Sequence, residues 1–151
     1  MSGLAPADPA FEQRIRKSFA RQTVMTLLGA TLERVAPGEV EVRLPFREDL
    51  AQQHGFFHAG VMTTVADSAC GYSALSLMPP GVAVLTAEFK VNLLAPGAGE
   101  SVVARARVVK AGRTLTVSTA EIFAVEGANE KLVAFMVATN MAVRDRPGLA
   151  D

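Results

Sequence analysis

The stretch that most constrains this chain is residues 60–78, GVMTTVADSACGYSALSLM. It is long enough for about five helical turns. It is apolar or small nearly all round, carries one charged residue, Asp67, and stops at Pro79-Pro80-Gly81. A helix of that composition has no face to give to water, so the rest of the chain has to wrap it. The prolines, which lack an N–H and clash with the preceding turn, end it.

The wrapping is legible as strands. Val40, Val42, Leu44 and Phe46 alternate with Glu39, Glu41, Arg43 and Pro45, which predicts a half-buried strand entered through the Pro37-Gly38 turn. Further on, Leu85, Ala87, Phe89, Val91 and Leu93 are expected on one face, with Thr86, Glu88, Lys90 and Asn92 on the other. Strands are expected over 101–110 and 114–123, joined at Ala111-Gly112-Arg113, and over 131–143, where apolar residues on both faces point to an interior position. Short connections make such strands antiparallel neighbours. One antiparallel sheet around a single apolar helix, an α+β domain, covers both.

Upstream, Asp8 is an expected N-cap with Pro9 at the first helical position. It opens a helix whose Phe11, Ile15 and Phe19 form one apolar stripe. Residues 24–28 add a helical turn. The organisation is thus a helical segment (1–28), a main domain (29–143) and a tail (144–151), within one domain overall.

Fifteen Lys and Arg balance fifteen Asp and Glu in 151 residues, so the net charge is zero. That removes the counterion-release driving force of a nucleic-acid binder and argues against a polybasic membrane-surface protein. Half the residues are hydrophobic and a fifth charged, enough for a full core with apolar surface left for a homo-oligomer. Cys70 is the single cysteine, which excludes an internal disulfide and a cysteine-rich zinc site. With no apolar leader and no run of ~20 apolar residues, the chain reads, by elimination, as a protein of the cytoplasm.

Asp67 is the anomaly, because aspartate is a poor helix former and a carboxylate is costly to bury. It is a solvated helix face, a structural acceptor or a catalytic carboxylate in a cleft. At the helix start, His58-Ala59-Gly60 offers unpaired backbone N–H groups and the positive end of the helix dipole, suited to polarising a carbonyl. The same three residues also suit a tight packing turn. Asp67 lies roughly 10 Å along the axis from Gly60, too far for both to reach one reacting atom. A two-fold dimer would bring one subunit's helix start beside its partner's Asp67. His54 and His58 are spaced i, i+4 without an H-E-x-x-H pattern, and no metal site is expected.

Gln52, His58-x-Gly60, Asp67 and the following Ala69-x-Gly71-Tyr72, set in a helix followed by four strands, resemble the hotdog-fold acyl-CoA thioesterases, specifically the PaaI-like group. The resemblance runs from about Gly29 to Val143. It implies a sheet wrapped around a helix, dimers with joined sheets and shared active sites, and assembly to homotetramers. It also implies an acyl-CoA substrate with no separate cofactor, coenzyme A entering as part of the substrate. Carried over by position, Asp67 is the catalytic carboxylate, general base or nucleophile. The Ala59 N–H polarises the thioester carbonyl, Gln52 orients water or thioester, and Thr86 assists the attacking water. Many members carry glycine where Ala59 stands, and a positive φ there would not suit alanine.

Coenzyme A needs local positive charge. Arg113 is the first expectation, with Lys90, Arg105 and Arg107 behind it. His58, Gly60, Phe56, Phe57, Lys90, Asn92 and Arg113 make the expected substrate-binding set, although the two phenylalanines equally suit the core. A non-catalytic acyl-CoA or metabolite-binding module on the same fold is the alternative. A hydratase is less favoured, because the central helix supplies no histidine.

Overall fold

The computed structural model describes residues 4–149. The first three residues, and the last two of the expected tail, lie outside that range. The apolar stretch folds as helix α3 (Ala59–Leu75), starting one residue before the expected Gly60 and ending three before Met78. Past Leu75 the backbone bonds tighten, Leu77 N–H to the Ala74 carbonyl and Met78 N–H to that of Leu75, while the Ser76 hydroxyl donates to the Ser73 carbonyl (2.6 Å) and accepts the Gly38 N–H (2.7 Å). Val65, Ala66, Ala69, Cys70, Ala74 and Leu75 are all wholly buried. Burying one side chain of valine or leucine size is worth about 1.5–3 kcal/mol.

Around α3 runs one six-stranded sheet, fully antiparallel, in the order β1-β2-β4-β5-β6-β3. The strands are β1 (Thr31–Ala36), β2 (Glu39–Pro45), β3 (Ala83–Leu93), β4 (Ser101–Ala111), β5 (Leu115–Glu126) and β6 (Asn129–Val143). The inner face is built from small side chains where the strands cross the helix: Ala104 and Ala106, Ala120, Ala134 and Ala138. With Ala66, Ala69 and Gly71 on the helix, they allow the close approach that wrapping needs. This is the hotdog architecture. Strand β6 is interior, as its two apolar faces led us to expect, and β3 is an edge.

Two expectations need correction. Helix α1 (Phe11–Arg21) begins two residues later than Pro9. Asp8 caps the preceding turn instead, accepting the Ala10 N–H (2.9 Å). The second concerns β3, which does not alternate evenly. Its register against β6 shifts between Thr86 and Glu88, leaving Ala87 as an extra residue. A bulge of this kind swaps faces. Thr86 therefore pairs with buried Asn140 on the helix side, while Glu88, Lys90 and Asn92 pair with Thr139, Val137 and Phe135 on the outer face.

Helices α1 and α2 (Thr23–Leu28) are docked, not appended. The nearly buried Arg14 guanidinium donates through Nη2 to the carbonyls of Leu75 (3.1 Å) and Met78 (2.6 Å) and lies 3.5 Å from Asp8. A cation at the carbonyl end of α3 is favoured by the helix dipole. No helix among the described residues is long and apolar enough to cross a membrane.

Candidate active site

The docking of α1 places Ser18, Arg21 and Gln22 over the middle of α3. There they close a polar cavity of about 390 Å³ with Asp67, Tyr72 and Thr86 in its wall. Asp67 is half-buried, and its Oδ1 accepts the Thr86 hydroxyl at 2.8 Å. Burial pushes the Asp67 carboxyl above the ordinary aspartate range, and the Thr86 bond offsets part of that rise. The geometry thus favours the cleft carboxylate over the solvated helix face. Cys70, one turn away and wholly buried, has its thiol pushed up to about 12, chiefly by burial and then by the Asp67 charge. It is an inert packing residue.

Neither Ser18, Arg21 nor Gln22 was foreseen as part of a site. Gln22 forms the α1–α2 corner and accepts from Ser68 on α3 (3.1 Å). Ser18 lies 3.4 Å from the Tyr72 hydroxyl, and Phe19 stacks obliquely on Tyr72 at 5.8 Å. The only sequence hint was polar Ser18 beside Ile15 and Phe19 on the buried stripe of α1.

The start of α3 forms a second, separate cavity of about 440 Å³, lined by Gln52, Phe56, Phe57, Ala59, Met62 and the 93–97 segment. His58 is the N-cap, with extended backbone, and its Nδ1 accepts the Gly60 N–H (3.0 Å). That spends the Gly60 N–H internally. The bonds found among the described residues leave the Ala59 N–H to the cavity. Ala59 is not at positive φ, so the anticipated difficulty of alanine here does not arise. Gln52 holds the preceding turn, its Oε1 accepting the His54 N–H and its backbone N–H reaching Phe56. Phe57 is core as well as cavity wall, 2% exposed and edge-on to Phe46 at 5.1 Å.

No residue lines both cavities. Thr86 belongs to one and Leu93 to the other, seven residues or roughly 23 Å apart along β3. Within one protomer, then, Asp67 and Thr86 line one cavity while Gln52 and Ala59 line the other.

The expected cations divide. Lys90 and Asn92 bond each other (2.7 Å) on the outer face, away from Asp67. Arg105 is not available as expected: Glu130 holds it at 2.6 and 2.7 Å, and Glu41 lies 3.6 Å away. Glu130, and after it Glu41, raise the Arg105 pKa further, and the Arg105 guanidinium in turn holds the Glu130 carboxyl below its ordinary range. Arg107 is exposed on the same outer face, paired with Thr119 and Glu39. Arg113 stands at the end of the sheet that also carries Val84 and Thr86, since Ala142 bonds to Thr114 and pairs with Val84. Arg144 joins it, donating to the Arg113 carbonyl (3.0 Å), and was not anticipated.

Comparison with known proteins bears on the fold and the family. Residues 54–131, just over half the chain, match the thioesterase superfamily. A crystal structure of a thioesterase family protein from Silicibacter pomeroyi is 54% identical, with TM-score 0.87, covering 89% of this chain and 98% of that one. The phenylacetic acid degradation protein PaaI from Thermus thermophilus is 30% identical, with TM-score 0.69, covering 80% of this chain and 98% of its own. A Halobacterium salinarum protein carrying a provisional esterase name is 34% identical over 100 residues, or 63% of this chain. The match spans 66% of that relative, just under two thirds. A sheet-wrapped apolar helix, a carboxylate cavity and these likenesses lead to one assignment: the chain belongs to the thioesterase superfamily, as a hotdog-fold member of the PaaI-like group.

Proposed function

We propose that the protein hydrolyses acyl-CoA thioesters at a site shared between two subunits. The observation that carries this reading is the split just described. A half-buried carboxylate with a hydroxyl donor sits at one end of β3, and a helix N-terminus in an apolar cavity sits at the other. Strand β3 is an edge whose Phe89 and Leu93 are about half exposed (47% and 53%). Antiparallel pairing of β3 with itself, centred between Phe89 and Lys90, sets Thr86 level with Leu93 of the partner subunit. Each polar cavity then faces an apolar one, and a dimer holds two complete sites.

In that site a water molecule attacks the thioester carbonyl carbon. The Asp67 carboxylate takes the water proton, and the Ala59 N–H holds the oxygen as it becomes negative. Collapse breaks the C–S bond. The proton passes from Asp67 to the departing thiolate, giving free acid and coenzyme A with the carboxylate restored. Thr86 fixes Asp67 through Oδ1 and leaves Oδ2 to the water. Gln52 orients the thioester, with Phe56 and Phe57 against the acyl group. Arg113 and Arg144 receive the coenzyme A phosphates.

Leu85, Met141 and Leu115 form a cross-strand row on the outer face and are 42%, 37% and 50% exposed. Such a row supports a second association, giving a homotetramer. Thiol release across a panel of acyl-CoA substrates, with Asp67→Asn as control, tests the activity. Hydrolysis by wild type and its loss in the variant is the expected result. Equal hydrolysis by both, or binding without hydrolysis, removes the proposal. Sedimentation or light scattering reads the assembly.

A further inference from the structure

We propose that Asn140 is a positioning residue, orienting the Thr86 hydroxyl so that its single proton is delivered to Asp67. This rests on the thioesterase reading for its role in turnover, but its geometry stands independently. Asn140 lies on the inner face of β6, wholly buried, in a cross-strand row with Thr86 on one side and Thr116 on the other. Its Nδ2 donates to Thr86 Oγ1 at 3.3 Å, and that hydroxyl lies 2.8 Å from Asp67 Oδ1.

A hydroxyl has one proton to give. With the amide N–H on its lone pair, the proton of Thr86 has one direction left, toward the carboxylate. Amide, hydroxyl and carboxylate then form a chain in which every bond points the same way, and such chains strengthen each member. The reversed amide would set its oxygen against Thr86 and compete with Asp67 for the same proton. The negative charge on Asp67 selects the orientation seen.

A second observation removes packing as the explanation. Asn140 Oδ1 is buried without a partner among the described residues. An unpaired acceptor in the interior is destabilising, so for the fold alone an apolar side chain with the same branching, such as leucine, would leave no acceptor unsatisfied here. Gly71 on α3 leaves the amide room on the helix side, since even an added Cβ there would stand 4.0 Å from Nδ2. Sequence reading gave no hint of this role, since Asn140 is distant in the chain and follows Thr139 in an apolar strand.

Around Asp67, Arg21 from α1 and Tyr72 from α3 line the same cavity, Cys70 lies one turn along α3, Thr86 from β3 bonds it directly, and Asn140 from β6 acts through Thr86. Of these, Asn140→Leu alters only the Thr86 bond. The experiment compares wild type, Asn140→Leu, Thr86→Val and the double variant. Carbon-detected NMR titration of the Asp67 carboxyl, the pH profile of kcat/KM and thermal unfolding are the readouts. Asn140→Leu is expected to keep or raise Tm and to move both the Asp67 titration and the acid limb to higher pH. It should lower kcat/KM at neutral pH about threefold to tenfold, the scale of one hydrogen bond. In the Thr86→Val background it should add no further shift. An unmoved titration, or a shift undiminished without Thr86, overturns the proposal. Should wild type hydrolyse no thioester, the NMR titration still decides whether Asn140 positions the pair, separating this failure from that of the functional reading.

Discussion

The middle of α3 and its first turn solve opposite problems with one helix. At Asp67 the helix is covered by its own N-terminal segment, and the cavity wall is polar: Ser18, Arg21, Gln22, Ser68 and Tyr72. At Ala59 the cover is a loop and the end of β3, and the wall is Phe56, Phe57, Met62 and Leu93. The first region holds a charge part-way out of water and surrounds it with donors. The second holds no charge and offers the helix start with an apolar surface. On the proposed function, acid–base chemistry belongs to the former, while carbonyl recognition and acyl packing belong to the latter.

If that division is right, Asp67→Asn is the most damaging single change. Loss of carboxylate base catalysis should reduce kcat by roughly 10²–10⁴-fold, read by thiol release. Its stability should move the other way. The folded-state pKa of Asp67 is raised, so the folded protein holds that proton more tightly than the unfolded chain. The stability contribution is therefore present below the unfolded value and lost as pH rises through the raised folded value. A permanently neutral asparagine avoids that loss, and its Tm near neutral pH should equal or exceed wild type. A large fall in Tm would mean Asp67 is a structural acceptor.

Next in size is Ala59→Pro, which removes one N–H while suiting the first helical position. His58 already has φ −63° and ψ 135°, the extended backbone proline requires of its predecessor. Circular dichroism and Tm should be close to wild type, with kcat down about 10²–10³-fold, as for other oxyanion donors. Unchanged turnover would leave the apolar cavity with packing alone. Thr86→Val should cost less, about tenfold or under, the scale of one hydrogen bond to a charged group. The Thr86 bond lowers the Asp67 pKa, so its loss moves the acid limb of kcat/KM to higher pH. An acid limb that moves to lower pH would contradict the bond's direction.

The sequence was more informative about the second region than about the first. The helix start was legible because it is local: Gln52, Phe56, Phe57, His58 and Ala59 are neighbours in the chain and stay so in the fold. Asp67 was conspicuous as one carboxylate in an apolar run. Its surroundings were not, because they arrive from α1, β3 and β6, 19 to 73 residues away by number. Thr86 was assigned its role through resemblance but placed on the wrong face, because strict alternation cannot register a bulge. Arg105 seemed a free cation until the register set Glu41 opposite it and the fold brought Glu130 alongside. What the pattern misses throughout is long-range register, which no single strand encodes.

The smallest expected effect probes the apolar cavity by shape alone. A methyl group on Gly97 would meet Met62 Sδ at 2.8 Å, Met62 Cε at 3.4 Å and Phe57 Cβ at 3.2 Å. Gly97 is not at positive φ, so alanine meets space limits and no backbone strain. Phe57 is fixed by the core and by its contact with Phe46, whereas methionine is flexible and yields. Met62 should therefore swing into the cavity that it lines and narrow it. Gly97→Ala should raise KM a few-fold for the bulkier acyl groups, the scale of roughly one methylene in a hydrophobic pocket. For acetyl-CoA, kcat should be unchanged, and the pH profile should keep its acid limb because nothing near Asp67 has moved. A shifted acid limb would show that the two regions are coupled within one protomer and would break the division between them. A KM raised equally for every acyl length would instead place the acyl group elsewhere and leave this cavity to coenzyme A.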